Sequence, residues 1–268
     1  MTDQNRPASS AIDTSKPSIA RAYDVVLGGK DNFAIDRAVV GEMLKIVPQL
    51  PEVAAHNRQM LSRGVRYLVE GAGIRQFMDL GSGLPTRENT HHVAQRSAPE
   101  ARVVYVDNDP IVLAHGRALL VENENTTVVT ADLRDTEAVL ADPEVRRLID
   151  FSQPVGVLLV GILHHLHDSE DPQGVAKAYM DAVPSGSHLF MTSFCASFPE
   201  AAALEETYLK VLGTGRFRTL QELQGFFGDL EMVEPGLVSL PEWRPETPID
   251  HDLSVAERLM AGGIARKR

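Results

Sequence analysis

The feature that most restricts the fold is a short apolar run ending in two glycines, Phe77-Met-Asp-Leu-Gly-Ser-Gly83. Three of its first four residues are large and apolar, which predicts a buried strand, and Gly81-Ser-Gly83 predicts a tight turn after it. Such a turn, followed by the start of a helix, leaves main-chain N–H groups free to bind a carboxylate or phosphate. We therefore expect a small-molecule site at the end of the first strand of an α/β sheet.

From residue 76 onward, short apolar runs alternate with helical stretches. The run Val155-Gly-Val-Leu-Leu-Val160 is apolar throughout, as expected for a central strand covered on both faces. Strands that alternate with helices in this way form a parallel sheet with helices on both sides, so the predicted fold class is α/β. The predicted strands are 77–80, 103–106, 126–130, 155–163 and 189–193, and the helices between them are 89–98, 110–120, 137–148 and 172–183.

The two ends of the chain differ from this central part. Residues 1–17 are polar and contain few large apolar groups, which predicts a disordered tail. Residues 18–75 show helical periodicity and precede any strand, which predicts a helical cap or flanking layer. Two apolar runs around Pro235-Gly236 predict a terminal hairpin with an antiparallel strand. We expect residues 246–268 to be polar, then helical, and to pack on the domain formed by residues 76–245.

Composition limits the possible partners. The chain has 268 residues, a net charge of −11 and no stripe of Lys and Arg, which argues against binding to nucleic acid or an anionic membrane. No segment reaches the ~20 apolar residues that span a bilayer, and the N-terminus has no signal-peptide core. The single cysteine, Cys195, cannot form an internal disulfide, which suits a reducing compartment. We expect a cytoplasmic protein, while its oligomeric state is not predicted.

Polar residues follow the predicted strands, at the edge where parallel sheets bind ligands. Asp107-Asn108 follows the second strand, where an acid can accept hydrogen bonds from both hydroxyls of a ribose. Asp132-Leu133 follows the third strand and combines an acceptor for an exocyclic amine with an apolar face for adenine. Gly161 follows the fourth strand. Together these positions predict an adenosine site next to a carboxylate-binding turn.

The glycine turn distinguishes between cofactors. A dinucleotide-binding loop would place a third glycine where the chain has Thr86, and no Gly-Lys-Ser/Thr sequence follows for a Walker loop. S-adenosylmethionine has one carboxylate, no phosphate and a ribose diol, which matches the groups found. The alternative that we keep is a nicotinamide-dependent oxidoreductase, which titration with both cofactors would distinguish.

The order of these motifs resembles that of class I, Rossmann-like S-adenosylmethionine-dependent methyltransferases. More closely, the chain resembles an actinobacterial family of candidate methyltransferases formerly catalogued as a domain of unknown function, over about residues 18–245. This resemblance implies a Rossmann-like three-layer sandwich with a seven-stranded, mostly parallel sheet, an antiparallel last strand and an N-terminal helical cap. The motifs are Tyr23, Leu27-Gly-Gly-Lys30, Asn32, Asn57-Arg58, Asp79-Leu-Gly-Ser-Gly-Leu-Pro-Thr86, Asn89-Thr90, Val106-Asp-Asn-Asp-Pro110 and Asp132-Leu-Arg134.

The resemblance also implies roles for individual residues. The glycine turn would bind the methionyl end of the cofactor, Asp107 the ribose, and Asp132 and Leu133 the adenine, with the cap closing over them. Leu84-Pro85 stands where another glycine is often found, so Thr86 and Asn89 would replace main-chain donors. The implied cofactor-binding residues are Tyr23, Gly29, Lys30, Asn32, Asp79, Gly81, Ser82, Gly83, Thr86, Asn89, Asp107, Asn108, Asp132, Leu133 and Gly161.

Histidines follow the fourth strand. His164 or His165 can act as a general base, because the unperturbed pKa of imidazole is near neutrality, or it can instead pack or form structural hydrogen bonds. If the strand continued this far, at most one of the two would face the site. With His167 and Asp168 they do not form a clean pair of ligands on one face, so we predict no metal.

These observations predict an S-adenosylmethionine-dependent methyltransferase with S-adenosylhomocysteine as product. The acidic chain lacks the Asn/Asp-Pro-Pro-aromatic signature of nucleic-acid amino-methyltransferases, which favours a small-molecule acceptor, although a protein acceptor remains open. Because the sulfonium methyl is already activated, the protein mainly has to position the acceptor and exclude water. The alternative is a catalytically idle S-adenosylmethionine-binding sensor or partner protein.

Overall fold

The computed structural model describes residues 13–86, 88–119 and 123–268, with the backbone alone for residues 117–119. The predicted tail therefore lies outside the described residues up to residue 12. Across these ranges, no helix combines the length and the apolar character needed to cross a membrane.

Three helices precede the first strand, as predicted. They are α1 (Ile19–Val26), α2 (Ala34–Ile46) and α3 (Leu50–Glu70). Helix α1 begins at Ser18, whose Oγ accepts a hydrogen bond from the main-chain N–H of Arg21. The 21-residue helix α3 lies against the sheet, so closely that a Cβ at Gly64 would be 2.4 Å from Cε1 of Phe190.

The sheet has eight strands, two of which, β6 and β7, pair with the same edge of β8. Strands β1 to β5 are parallel, β8 is antiparallel to β5, and the two-residue strands β6 and β7 share the outer edge of β8. The order is β3-β2-β1-β4-β5-β8-β6, which confirms the predicted mostly parallel sheet. The strands are β1 (Gln76–Leu80), β2 (Arg102–Asp107), β3 (Thr126–Thr130), β4 (Gly156–Val160), β5 (His188–Phe194), β6 (Glu231–Met232), β7 (Val238–Ser239) and β8 (Met260–Arg266).

The remaining helices connect these strands. The predicted helix at 137–148 is two helices, because Pro143 begins a new one and Asp142 caps it with a hydrogen bond from the main-chain N–H of Glu144 (2.8 Å). The helices are α4 (Thr90–Ser97), α5 (Pro110–Leu119), α6 (Thr136–Ala141), α7 (Pro143–Leu148), α8 (Pro172–Ala182), α9 (Pro199–Leu212), α10 (Leu220–Gly225) and α11 (Val255–Arg258).

The antiparallel strand is not where the sequence predicted it. The two apolar runs around Pro235-Gly236 do not pair with each other; each pairs with β8, which lies in the tail predicted to be helical. Strand β8 is buried on both faces and rich in glycine and alanine, so it lacks the alternation typical of a strand. Its glycines permit close packing, since a Cβ at Gly262 would be 2.7 Å from Cγ2 of Thr192.

The core consists of two layers, one on each face of the sheet. Phe77 belongs to the layer under α3, whereas its neighbour Met78 belongs to the layer under α8. On β5, Phe190 likewise faces the first layer while Leu189 faces the second. This alternation gives the predicted three-layer sandwich, with the carboxyl ends of the parallel strands directed toward the N-terminal helices.

Candidate functional site

The main cavity lies at the carboxyl ends of β1 to β5, beneath the N-terminal helices. Its volume is about 750 Å³, within the range of small-molecule sites. The cavity is lined by loops that follow the strands, by α1 and α3, and by the segment at 13–18. Ser18 Oγ donates a hydrogen bond to Asp109 Oδ2, which joins the cap to the loop after β2.

The glycine turn after β1 lines this cavity, but its main-chain N–H groups are not free. The N–H groups of Gly81 and Ser82 donate to the carbonyl oxygen of Val106 at 2.8 and 3.2 Å. The N–H of Gly83 donates to Asp107 Oδ2 at 2.8 Å. The expectation of an open anion-binding turn is therefore wrong, because β2 satisfies the groups that the local sequence leaves unpaired.

The backbone conformation and the close packing at position 81 require glycine. Its φ is 72°, a conformation that side chains disfavour, and a Cβ there would be 2.4 Å from Cγ1 of Ile162. The neighbouring Ser82 lines the cavity, and its Oγ is buried without a hydrogen-bond partner among the described residues. A bound ligand can supply that partner.

Two carboxylates stand on either side of the turn. Asp107 accepts the hydrogen bond of Gly83 and another from the main-chain N–H of Asp109 (2.9 Å), and burial raises the pKa of its carboxyl. Asp79 is buried and accepts a 2.6 Å hydrogen bond from Thr90 Oγ1. Burial raises the pKa of Asp79 to about 6, although the bond from Thr90 acts in the opposite direction.

The loop after β3 contributes Asp132 and Leu133. The Asp132 carboxylate accepts hydrogen bonds from Arg134 Nε at 2.9 and 3.0 Å, and these bonds lower its pKa. Arg134 also pairs with Glu170, so the loops after β3 and β4 are joined across the rim. Leu133 is buried, and its carbonyl oxygen accepts a 2.8 Å hydrogen bond from Tyr179. Asp132 and Leu133 both line the cavity, as does Asn108 at the end of β2.

A series of hydrogen bonds connects β5 to the cap beside the cavity. Thr192 Oγ1 donates to Asn57 Oδ1 at 2.6 Å, and Asn57 Nδ2 donates to the Tyr23 hydroxyl at 3.1 Å. Asn57 lies against Gly161, where a Cβ would be 3.0 Å from its Nδ2. These hydrogen bonds hold Tyr23 at the wall of the cavity.

Five of the implied cofactor-binding residues do not line the main cavity. Gly29, Lys30 and Thr86 line a second cavity of about 920 Å³, on the outer side of α3. Asn32 Nδ2 donates to Asp24 Oδ2 (2.8 Å), and this bond holds the turn between α1 and α2. Asn89 caps α4 and accepts a 2.8 Å hydrogen bond from the main-chain N–H of Thr86. Lys30 and Asn32, which the resemblance implies as cofactor-binding residues, therefore do not line the main cavity.

Arg58 is the site residue to which the sequence reasoning gave no role. It lies on α3 between the two cavities and lines both. Its Nη2 donates to Thr86 Oγ1 at 2.9 Å and to the carbonyl oxygen of Glu88. The motif Asn57-Arg58 was the available signal, since two polar residues occur there on the buried face of an amphipathic helix.

His164 and His165 both line the main cavity, because the strand does not continue this far and the alternation expected along a strand does not apply to them. Strand β4 ends at Val160, and a short 3₁₀ turn over Leu163–His165 places the two rings side by side, 4.4 Å between centroids. Burial lowers the pKa of His165 to about 4 and that of His164 well below its usual value. Within the described ranges, no three His, Cys, Asp or Glu side chains converge to hold a metal ion.

The chain is similar to several solved structures. A candidate methyltransferase from Thermobifida fusca YX is 50% identical, with a TM-score of 0.93 and 100% of both chains covered. A DUF574 family protein from Streptomyces avermitilis MA-4680 is 38% identical, with a TM-score of 0.91, over 96% of this chain and 100% of that one. An O-methyltransferase family protein from Burkholderia thailandensis (14% identity, TM-score 0.53, 82% of this chain and 60% of that one) shares the fold alone.

Comparison with curated protein sequences finds no match. The family model described as S-adenosyl methyltransferase matches residues 5–268, which includes the cap, the glycine turn and the strand-end acids. This confirms the predicted enzyme class and its cofactor, S-adenosylmethionine. The chain belongs to the S-adenosyl methyltransferase family.

Proposed function

We propose that this protein transfers the methyl group of S-adenosylmethionine to a small-molecule acceptor bound in the same cavity as the cofactor. One observation carries the proposal: a single cavity joins two chemically different parts. Its β1–β3 part presents Asp79, Asp107 and Asp132, whereas its β5 part presents Phe194 and Tyr208. The first part suits a nucleoside with a zwitterionic tail, and the second part offers room for an acceptor.

The residues of the β1–β3 part fit the cofactor. Each oxygen of the Asp107 carboxylate accepts one protein hydrogen bond and keeps a lone pair for a ribose hydroxyl. Leu133 offers an apolar surface to adenine, and Asn108 lies next to it at the rim. S-adenosylmethionine supplies the methyl group as an activated sulfonium, so the protein does not have to activate it.

Arg58 would hold the carboxylate of the methionyl group. The three N–H groups of the glycine turn are already bonded, so the turn cannot bind this carboxylate through them. The Arg58 guanidinium lines the cavity from α3 and has further N–H groups beyond those bonded to Thr86 and Glu88. Ser82 Oγ, buried and unpaired within the described ranges, can add a second donor, and buried Asp79 would accept from the methionyl amino group.

Catalysis would depend on positioning and on the exclusion of water. His164 and His165 are neutral at physiological pH and are weak bases in this environment. They would orient the acceptor through hydrogen bonds, without removing a proton from a weakly acidic hydroxyl. The cap contributes by closing the cavity with Tyr23, which Asn57 holds in place.

Transfer of labelled methyl groups tests the proposal. The protein is incubated with S-adenosylmethionine labelled in its methyl group and with a metabolite extract, and label is followed into the small-molecule product fraction after chromatography has removed the unreacted S-adenosylmethionine. We expect label in that fraction with the wild type and its loss with Asp107→Ala. Tight cofactor binding with no transfer would show instead an idle cofactor-binding protein, and label confined to macromolecules would contradict a small-molecule acceptor.

A further inference from the structure

The β5 end of the main cavity has a wall of aromatic rings. Phe194 and Phe217 are stacked with centroids 4.6 Å apart, and Tyr208 stacks on His165 at 5.8 Å. His164 contacts this group edge-on, 4.8 Å from Phe194. Phe217 is fully buried behind the others and fixes their positions. The wall is therefore rigid before any ligand binds, and it presents both faces and edges of rings, which is the arrangement that another aromatic ring prefers.

The described residues that line this end of the cavity carry no charge, although buried Arg218, which is not part of the lining, acts electrostatically on His164. The charged side chains that line the cavity come from the N-terminal segment, α1, Arg58, strands β1 and β2, and the loops after β2 to β4. The lining residues on α2, α9, β5 and β8 are uncharged: Met43, Phe194, Tyr208, Leu212 and Met260. A charged acceptor in this position would lose its hydration without gaining an ion-pair partner, so binding would disfavour it.

One polar group at the wall lacks a partner. The Nδ1 atom of His164 is buried and has no hydrogen bond to any residue that the structure describes, and the side chain as a whole is 3% exposed. By contrast, Nδ1 of His165 is bonded to Thr214 Oγ1 at 2.9 Å. A buried imidazole without a partner is costly, and a ligand that carries a hydroxyl or N–H group can relieve that cost.

The sheet places this wall at a suitable distance from the cofactor part. Phe194 ends β5, which lies three strands from β2 and its Asp107 in the observed order. With strands spaced by about 4.8 Å, the wall is roughly 14 Å from the expected ribose site. Gly161, which follows β4 between these two parts, and Tyr23 of the cap both line the same cavity. An acceptor on the wall would thus approach the cofactor from the side opposite its adenosine.

From these observations we infer that the methyl acceptor is an uncharged molecule with an aromatic ring, packed against the wall that Phe194 and Tyr208 form in edge contact with each other (5.6 Å between centroids), with a hydroxyl or N–H group bonded to His164. This inference rests on the proposed function, because it assigns the acceptor's chemistry to the same cavity. It also gives His164 a positioning role, since the imidazole orients the nucleophile toward the cofactor part.

Binding to the protein saturated with S-adenosylhomocysteine tests the inference without turnover. The probes are 2-naphthol, its anionic counterpart 6-hydroxy-2-naphthoate, and naphthalene, with affinities from ligand-observed NMR. We expect 2-naphthol to bind roughly tenfold more tightly than the carboxylate, because the wall offers the anion no partner. Equal or tighter binding of the carboxylate, or no binding of 2-naphthol, would overturn the inference.

Two variants separate the ring and the hydrogen bond. Tyr208→Leu should weaken the binding of all the aromatic probes. His164→Phe should remove only the preference for 2-naphthol over naphthalene. Both should leave affinity for S-adenosylhomocysteine unchanged, which also verifies that each variant is folded. An unchanged preference in His164→Phe contradicts the role of His164. Failure of the proposed function would appear separately, as an absence of labelled product while these binding results stand.

Discussion

The main-chain N–H of Gly83 donates a 2.8 Å hydrogen bond to Asp107 Oδ2, which joins the turn after β1 to the acid at the end of β2. The two motifs lie 24 residues apart in the sequence, yet in the structure they are a single unit. A ligand that binds Asp107 therefore also stabilises the glycine turn, and a substitution at either position disturbs both.

Replacement of Asp107 by alanine should weaken the binding of S-adenosylhomocysteine by about ten- to a hundredfold. A hydrogen bond to a charged group contributes about 1.5–3 kcal/mol, so the loss of one such bond to the ribose accounts for this factor. Isothermal titration calorimetry measures the affinity. Asp181→Asn is the control, since the Asp181 carboxylate is exposed on α8 and pairs with Lys177 there. Unchanged affinity in Asp107→Ala would contradict the ribose assignment.

Arg58→Met should weaken the binding of S-adenosylhomocysteine by about tenfold or more, because one charge-assisted contact to the carboxylate is lost. Affinity for 5′-methylthioadenosine, which lacks the amino acid group, should change little. Arg66→Met, on the same helix but paired with Glu246 at the surface, serves as the matched control. Equal weakening of both ligands in Arg58→Met would show that Arg58 acts only through the loop that carries Thr86.

Asp79→Asn should change how stability depends on pH. The pKa of Asp79 is raised to about 6 in the folded protein, above its value of about 3.9 in the unfolded chain. The unfolded state therefore loses its proton first, and the wild type loses stability as pH rises through this window. The free energy of unfolding, measured in urea without cofactor, should therefore change between about pH 5 and about pH 8. Over this range the stability of the variant relative to the wild type should rise by about 1 kcal/mol. If the free energies of unfolding of the two proteins vary with pH in parallel, the pKa of Asp79 is not raised by burial.

His164 and His165 should remain neutral where ordinary histidines titrate. Burial lowers the pKa of His165 to about 4 and that of His164 well below its usual value, whereas the hydrogen bond to Glu257 raises the pKa of exposed His251. In an NMR titration from about pH 5.5 to about pH 8, the two cavity histidines should show no midpoint, and His251 should titrate above about 6.5. A midpoint near 6.5 for His164 would show that it is hydrated.

A pair of glycines tests the packing of the cap on the sheet. Gly64→Ala should destabilise the protein by about 1–3 kcal/mol, because the new Cβ would be 2.4 Å from the Phe190 ring. Gly41 lies inside α2, and a Cβ at this position would have no atom within 4 Å, so Gly41→Ala should stabilise by about 0.5–1 kcal/mol. Urea unfolding measures both, and effects of the same sign would contradict this account of the α3 contact.

The sequence predicted the five parallel strands and the enzyme family, because buried strands and strand-end motifs are both local signals. It could not predict the bonding of the glycine turn. Those hydrogen bonds depend on Val106 and Asp107, which meet the turn only when β1 and β2 pair. The end of β4 was predicted at residue 163, whereas the strand ends at Val160, before Gly161, whose φ of 72° is not that of a strand residue.

Motif membership also proved a poor guide to location. Lys30 and Asn32 belong to the motif that contains Tyr23, but Tyr23 reaches the main cavity while Asn32 braces the turn after α1. One strand was missed because Gly262 and Gly263 occupy a crowded interior, where small residues replace the usual alternation of strand side chains.

The position of β8 has a consequence for biosynthesis. This strand pairs with β5 along seven residues, from His188 to Phe194, and also supports β6 and β7. On the ribosome, the edge of β5 therefore stays exposed until residue 266 has emerged, although the first five strands are complete much earlier. An unpaired apolar edge invites pairing with another nascent chain. Truncation before residue 260 should accordingly produce aggregation, more than a simple loss of activity.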